Sequence, residues 1–537
     1  MKKLSEREKK WIEKTIANNR SYKVWLYNRL FLFLILVLSQ IVGYVMLLYL
    51  FAYNSRIGVT VQLAVGVLEL IFVIYILNRY DRPAVKLAWI LLILLFPIIG
   101  VPAYLLFGEG RSIKKMRKLI LAEKAETERK AQAVLGEKQT PDIFNEHDSI
   151  TRYVANCGGY PVYYDGEVTY YKNGEDMFPE MLAQLQKAEK YILVEYYIIS
   201  HGKMWDSILK ILVEKAMAGV QVRILYDDFG CMVTLPPKYD RYLESLHENI
   251  RCVAFNQVVP LFALRMNNRD HRKILVVDGQ VAFTGGINLA DEYIGEVRRF
   301  GFWKDTGVKI VGPAVNSFVK MFFYLWNACR ADKEEIADYL VLSKDEKMGE
   351  KTGEGNAVRI QPYDDSPLDD YSLGESVYAD IVSRANNYVY IFTPYLVLDD
   401  FLRGALCMAA LRGVDVRIVT PAIPDKKTVY RLTRANYRVL MNAGVKIYEY
   451  TPGFIHAKSM VCDDKVAVVG TINLDYRSLY LHFENAVYFT GVDAVMDVKR
   501  DAEETIALSE LCTKENTKRG VFGRMVDSLL RIFETLF

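Results

Sequence analysis

Apolar positions along the chain change their spacing from one region to the next, and each spacing predicts a different kind of element. From Leu30 to Ser55 the run LFLFLILVLSQIVGYVMLLYLFAYNS holds no charged residue, and about 20 apolar residues suffice to cross a bilayer core. A second run, Ile57 to Leu77, is interrupted only by Glu69, and a third, Leu87 to Phe107, is uncharged but carries Pro97, Gly100 and Pro102. The lengths of these runs and their lack of a small-residue cleavage site speak against a signal peptide. Further on the pattern shortens. YILVEYYII (Tyr191 to Ile199) is the β-branched and aromatic run of a buried strand, followed by the helical pattern WDSILKILVEKAMAG and a second strand, VQVRILYDD.

That order recurs. YVYIFTPYLV (Tyr388 to Val397), LRGALCMAALRG and VDVRIVTP follow one another as strand, helix and strand, and the turns GVQVRI and GVDVRI before the second strands differ at one position. The offset between the turns is 413 − 219 = 194 residues. An α/β unit of domain size is therefore expected twice. The expected division is a basic N-terminus over 1–29, a membrane region over 30–108, a charged linker helix over 109–140, a first repeat over 141–343, a polar linker over 344–356, a second repeat over 357–510 and an amphipathic C-terminal helix over 511–537. In that last segment Phe522, Met525, Val526, Leu529, Phe533 and Leu536 share one helical face, as an interfacial helix requires.

Charge orients the front of the chain. The first 29 residues hold nine lysines and arginines, whereas the loop between the first two apolar runs holds only Arg56, which predicts a cytoplasmic N-terminus. Arg79, Arg82 and Lys86 mark the next loop as cytoplasmic too, and the flank after the third run, GEGRSIKKMRK, is again basic. A third full crossing would put that flank outside. A third run that bends at its prolines and glycine and returns to the same face reconciles the two, with a plain third span as the alternative. The whole chain carries a formal charge of only +3, too little for a nucleic-acid binder dominated by phosphate attraction. Seven scattered cysteines without CxxC or CxxH spacing read as reduced thiols, with neither disulfide framework nor zinc site.

The candidate chemistry is also written twice. His271, Lys273, Asp278 and Asn288 recur as His456, Lys458, Asp463 and Asn473, with an interval from histidine to asparagine of 17 in both copies (288 − 271 and 473 − 456). On a strand, residues two apart face the same way, so each histidine and lysine share a face while Arg272 or Ala457 points away. An amine and an amide that can hold phosphoryl oxygens, beside an imidazole that can attack or protonate, are the parts of phosphoryl-type transfer without a metal. Two copies supply two imidazoles, one to attack and one to protonate the leaving alcohol. A histidine nucleophile needs an acceptor on its other nitrogen, and Asp305 and Glu484 are the downstream acids that offer one. Asp278 and Asp463, included among the candidate catalytic residues, sit at strand ends, where securing a turn or salt bridge is the stronger reading. His147, His201, His247 and His482 lack any such context. Tyr197 and Tyr395 recur at the ends of the first strands and could line the site or pack in the core.

These residues resemble the phospholipase D superfamily, with its paired His-Lys-Asp motifs, and within it the bacterial cardiolipin synthases. The likeness extends to the third apolar run and to GTINLDYRSLYLHFENAV (Gly470 to Val487). It implies an α/β fold in which two pseudo-twofold-related α/β/α units form one core behind a helical membrane region. It further implies a cofactor-free, multi-pass cell-membrane enzyme with its catalytic part at the cytoplasmic face. Such an enzyme transfers a phosphatidyl group from one phosphatidylglycerol to another through a phosphohistidine and releases glycerol. By carry-over His271 is the nucleophile, His456 the general acid and base, Lys273, Lys458, Asn288 and Asn473 the phosphate-holding groups, and Asp305 and Glu484 the orienting acids. A membrane phospholipase D or another headgroup transferase is the alternative. The first motif ends in Gly285-Gly286 where the family has a hydroxyl residue, which removes one possible donor. Membrane phospholipid and the bilayer are the expected partners, without nucleic acid, and the oligomeric state stays open.

Overall fold

The computed structural model describes residues 38–136 apart from 39, 47, 80–82 and 108–110, then 148–257, 268–342, and 358–534 apart from 519 and 533. The basic stretch 1–29, the start of the first apolar run and the expected linker 344–356 lie outside the described residues. Contacts divide the chain into two units, with the N-terminal helices up to Lys118 in one and an α/β body from Leu119 to Asp527 in the other.

In the first unit, the second apolar run is the helix Ser55–Leu77, capped by Asn54, whose side chain accepts from the backbone N–H of Arg56 at 3.2 Å. At 1.5 Å per residue its 23 residues reach about 34 Å, and Leu63, Val67, Leu70 and Ile71 are exposed, as lipid-facing side chains would be. It alone among the described residues is long and apolar enough to cross a membrane; the helix Gln40–Tyr53 before it is shorter. The third run is two helices, Pro83–Leu95 and Pro97–Phe107, broken at Phe96. They close on each other tightly: a Cβ on Gly100 would stand 2.5 Å from the Cα of Ile93. Only glycine allows this approach, and Ile76, Ile93, Val101 and Tyr104 bury one another around it.

The body is built on two sheets of matching strand order. The first runs Glu167–Tyr171, Gly307–Val311, Val281–Gly285, Lys273–Val277, Tyr191–Tyr196, Gln221–Asp227 and Ile250–Phe255. The second runs Arg359–Asp365, His482–Thr490, Val466–Gly470, Ser459–Cys462, Tyr388–Phe392, Asp415–Pro421 and Lys446–Tyr450, with Ser509–Leu511 added at its edge. In both, the first predicted strand is parallel to the next and antiparallel to the strand that follows the histidine motif. Tyr191–Tyr196 and Tyr388–Phe392 are buried at every position, which explains why their sequences show unbroken apolar runs and not alternation.

The helix Val315–Cys329 is buried from Val315 through Asn327 and touches strands of both sheets. At its flank lies Arg272, fully buried, the residue expected to point away from the site. Its guanidinium reaches Glu195 Oε1 at 2.5 Å and Asp270 Oδ1 at 3.0 Å, and donates to the Tyr324 hydroxyl at 3.0 Å and the Met321 carbonyl at 3.1 Å. Tyr324 then donates to Asp364 of the second sheet at 2.5 Å, and Lys124 donates to that same carboxylate at 3.1 Å. The network occurs once, because the second repeat has Ala457 and Phe392 where the first has Arg272 and Glu195. Removing one partner of a buried ion pair costs about 3–5 kcal/mol, since the other charge is left uncompensated. Arg272→Met should therefore lower the thermal unfolding midpoint of the detergent-solubilised protein by several degrees, and an unchanged midpoint would count against the network as the tie between the two sheets.

Candidate functional site

Each histidine of the duplicated motif is reached through a short parallel pairing with the other repeat. Arg269–Asp270 pairs with His482–Phe483, and the His271 N–H donates to the Phe483 carbonyl at 2.8 Å. One residue further in that register, His271 Nδ1 stands 2.9 Å from both carboxylate oxygens of Glu484. In the same way Gly453–Ile455 pairs with Phe302–Lys304, the His456 N–H donates to the Lys304 carbonyl at 2.7 Å, and His456 Nδ1 stands 2.6 Å from Asp305 Oδ2. The acids are exchanged: the imidazole of each repeat is held by the carboxylate of the other. A carboxylate on Nδ1 fixes the proton there and leaves the lone pair on Nε2.

The lysines lie with their histidines. Lys273 Nζ donates to the His271 carbonyl at 2.5 Å, and Lys458 Nζ donates to the His456 carbonyl and stands 2.8 Å from its Nδ1. Burial, then Lys273 and Lys458, hold the His271 imidazole well below the usual histidine range; for His456 the order is burial, then Lys458 and Lys273. Burial brings Lys273 down to about 7 and Lys458 down to about 8, and raises Asp305 to about 7 against the pull of Lys458. Burial depresses all four groups, and the amines add to the depression of both imidazoles and of Lys273. An entering anion would relieve all four at once.

The asparagines differ. Asn288 is engaged on both amide atoms, accepting from the Ile198 N–H at 3.1 Å and donating to the Tyr293 hydroxyl at 2.7 Å. Asn473 has a buried Oδ1 with no partner among the described residues. Asp278 and Asp463 stand apart from the histidines, at the far ends of the strands Lys273–Val277 and Ser459–Cys462, in left-handed backbone (φ 53° and 52°). Five steps at about 3.3 Å put Asp278 roughly 16 Å along the strand from Lys273. Its carboxylate accepts from the N–H groups of Glu189, Lys190 and Tyr191, each at 2.8 Å, and Asp463 does the same for Asn386, Asn387 and Tyr388. Both aspartates fasten the start of the neighbouring buried strand, so their geometry is that of turn anchors, set away from the reacting groups.

Gly286 has a steric reason. A Cβ there would stand 2.0 Å from Asp305 Oδ1, so the short acid and the glycine go together. In the second repeat the longer Glu484 leaves room for Thr471, whose hydroxyl donates to the Asn485 carbonyl at 3.1 Å.

Of the neighbours, Tyr197 was a candidate lining residue from the sequence, whereas Tyr293, Trp303, Phe454, Ser478 and His482 were not. Tyr197 packs its ring 4.8 Å from His271, while Tyr293, Trp303 and Phe454 surround His456 at 5.8, 5.6 and 5.8 Å. Tyr395, by contrast, donates to Asp425 at 2.6 Å. Ser478 donates to Glu484 Oε1 at 2.6 Å, and His482 stands 5.5 Å from His271, ring to ring. The signal was available for two of them: Trp303 and His482 each precede an orienting acid by two residues and so share its strand face.

The arrangement is one of two depressed imidazoles, each with Nδ1 on a carboxylate, and two depressed amines. A family profile described as "Cardiolipin synthase, PLD-like domain" matches residues 181–302 and again 378–506, and one described as "Phospholipase_D-nuclease N-terminal" matches 67–109. An uncharacterized protein of Streptococcus mutans is 43% identical over 83% of this chain and 95% of its own. Cardiolipin synthase of Alkalihalophilus pseudofirmus is 32% identical over 93% of this chain and 99% of its own, and cardiolipin synthase 2 of Bacillus anthracis is 34% identical over 86% and 88%. The structure of phosphatidylserine synthase from Haemophilus influenzae aligns over 73% of this chain and all of its own with a TM-score of 0.56 at 13% identity, a likeness of fold. Domains matched twice, one around each histidine, and curated relatives alike from end to end leave one assignment: the chain belongs to the cardiolipin synthases of the phospholipase D superfamily.

Proposed function

We propose that this chain makes cardiolipin from two molecules of phosphatidylglycerol by double displacement at the paired histidines. The observation that carries the mechanism is the exchange of acids, because each carboxylate engages Nδ1 and leaves Nε2 as the reacting atom of its ring. The entering diester anion relieves the charge that depresses His456, which takes up a solvent proton on Nε2; His271 Nε2 then attacks the phosphorus of the first phosphatidylglycerol, and His456 gives that Nε2 proton to the departing glycerol oxygen. Glycerol leaves a phosphatidyl-histidine. His456 then takes the proton of the terminal hydroxyl of a second phosphatidylglycerol, whose oxygen displaces His271 from phosphorus and forms cardiolipin. Lys273 and Lys458 hold the nonbridging oxygens, with the Asn473 amide as the freer of the two asparagine contacts, and Glu484 and Asp305 steady the rings. Attack is assigned to His271 on the family resemblance; Glu484 meets its ring with both oxygens and is fixed by Ser478, as Asp305 is fixed by the Thr306 N–H at 2.8 Å.

The domain division of the sequence reading goes with this mechanism: repeats over 141–343 and 357–510, related by a pseudo-twofold axis, each lending the other its acid. The matching strand orders support it. For the front of the chain we infer a multi-pass cell-membrane anchor in which the helices around Gln40–Tyr53 and Ser55–Leu77 cross and the pair Pro83–Leu95 and Pro97–Phe107 returns to the cytoplasmic face. Neither helix of that pair approaches the roughly 20 residues of a span, and the return agrees with the basic flanks on both sides of it. The C-terminal helix Val521–Ile532 keeps Phe522 and Met525 exposed while Arg431 holds Asp527 at 2.6 Å, which suits a face lying on lipid.

Given phosphatidylglycerol alone, without metal or cytidine-activated lipid, the purified protein should release glycerol and form cardiolipin in equal amounts. His271→Ala should abolish a covalent lipid adduct and His456→Ala should retain it; an adduct that survives His271→Ala reverses the two roles, and phosphatidic acid as the main product would mean hydrolysis. Because protonated amines bind the diester and lose their protons near pH 7 and 8, KM for phosphatidylglycerol should rise between pH 7 and about 9. Over the same range kcat should change less, since a bound anion keeps the amines charged; a flat KM would remove the lysines from phosphate binding. A cysteine introduced at Lys115 should be labelled by a membrane-impermeant maleimide only from the cytoplasmic side, and labelling from outside would make the third run a full span.

A further inference from the structure

Beside His271 lies an imidazole that the reaction does not use. His482 opens the strand His482–Thr490 two residues before Glu484, so both side chains leave the same face of that strand. His482 Nδ1 is buried, makes no hydrogen bond among the described residues, and points at Glu484 Oε1 from 3.7 Å. A ring nitrogen without a partner, 3.7 Å from a buried carboxylate oxygen, is either a donor too far away to bond or a lone pair facing a lone pair. A cation between them resolves both cases.

Among the described residues, His271, His482 and Glu484 form a group whose ligand atoms all lie within 4.8 Å of one another. Around a tetrahedral ion with bonds of about 2.1 Å, ligand atoms stand roughly 3.4 Å apart. The separations here, 2.9 Å from His271 Nδ1 to Glu484 and 3.7 Å from Glu484 to His482 Nδ1, bracket that value. Two imidazoles and one carboxylate select zinc or a similar first-row ion over magnesium or calcium, which take oxygen ligands. Ser478, donating to Glu484 Oε1 at 2.6 Å, steadies the carboxylate as outer-shell donors do at metal sites. Around His456 the corresponding position is Trp303, two residues before Asp305, which offers no ligand.

We propose that His271, His482 and Glu484 form an inhibitory zinc site. A zinc ion on His271 Nδ1 takes the place of the proton shared with Glu484, and that proton moves to Nε2 as the ring changes tautomer. The Nε2 lone pair is then gone, and the ring can neither attack phosphorus nor accept a proton. The inhibition rests on the reaction proposed above; the binding does not. Zinc thus acts as a reversible brake, released by chelation.

The test uses the full-length protein in detergent. Titration should show one zinc bound at this group, and the zinc-edge absorption spectrum of the native chain should show two imidazoles and no sulfur. Cardiolipin formation should fall as that ion binds and return with chelator. His482→Gln should keep its activity in chelator, lose zinc inhibition, and bind zinc more weakly by more than the roughly 100-fold that loss of an outer-shell partner costs. Sulfur in the spectrum, zinc binding that His482→Gln leaves unchanged, or inhibition that persists in that variant would overturn the site. Should the chain form no cardiolipin even in chelator, the reaction proposed above fails, and the titration and spectrum still decide whether zinc is bound.

Discussion

Two backbone pairings carry the site. The two residues before His271 lie parallel to the start of the strand that bears Glu484, and the three before His456 lie parallel to the segment that ends at Asp305. Main-chain hydrogen bonds fix that register, and the register alone brings each imidazole to its acid. Neither repeat can complete its own half, since each supplies a histidine without its orienting carboxylate. A shift of one residue in either pairing would turn the acid to the opposite face of its strand. The centre therefore depends on main-chain geometry more than on any side-chain contact.

Electrostatics makes the arrangement costly. Burying two imidazoles, two amines and two carboxylates within a few ångströms pushes lysines toward neutrality and an aspartate toward protonation. Such a space is complementary to a singly charged phosphodiester brought in with its alkyl chains, because the anion supplies the charge that solvent no longer provides. Behind it, on the opposite strand face, Arg272 and its acids tie the sheets together, so one short stretch serves the centre with alternate residues and the core with those between them. Asymmetry enters at the same places: Arg272 against Ala457, Gly286 with Asp305 against Thr471 with Glu484, and Trp303 against His482. The repeats share a frame and differ in what each packs around its histidine.

Much of this was legible in the chain itself. The unbroken apolar runs gave the central strands, the repeated turn and motif fall on two sheets of matching strand order, and period-two alternation put His271 with Lys273 and His456 with Lys458. Asp278 and Asp463 were readable as turn residues from their place at strand ends, and the structure gives each three backbone donors. The bend at Pro97 followed from helix chemistry, and the close contact of Gly100 with Ile93 follows from the same glycine. Missed were Tyr293, Phe454 and Ser478, which contribute no repeated pattern, since a lone aromatic or serine looks alike in core, surface and site; missed too were Trp303 and His482, whose common place two residues before an acid was a usable signal.

The sequence by itself determined which residue types stand on one strand face and how often, because side-chain alternation and turn chemistry are local. Tertiary structure decided which acid meets which histidine. That choice rests on pairings between segments 213 and 151 residues apart, whose strands of two and three residues are too short to leave any periodic signal.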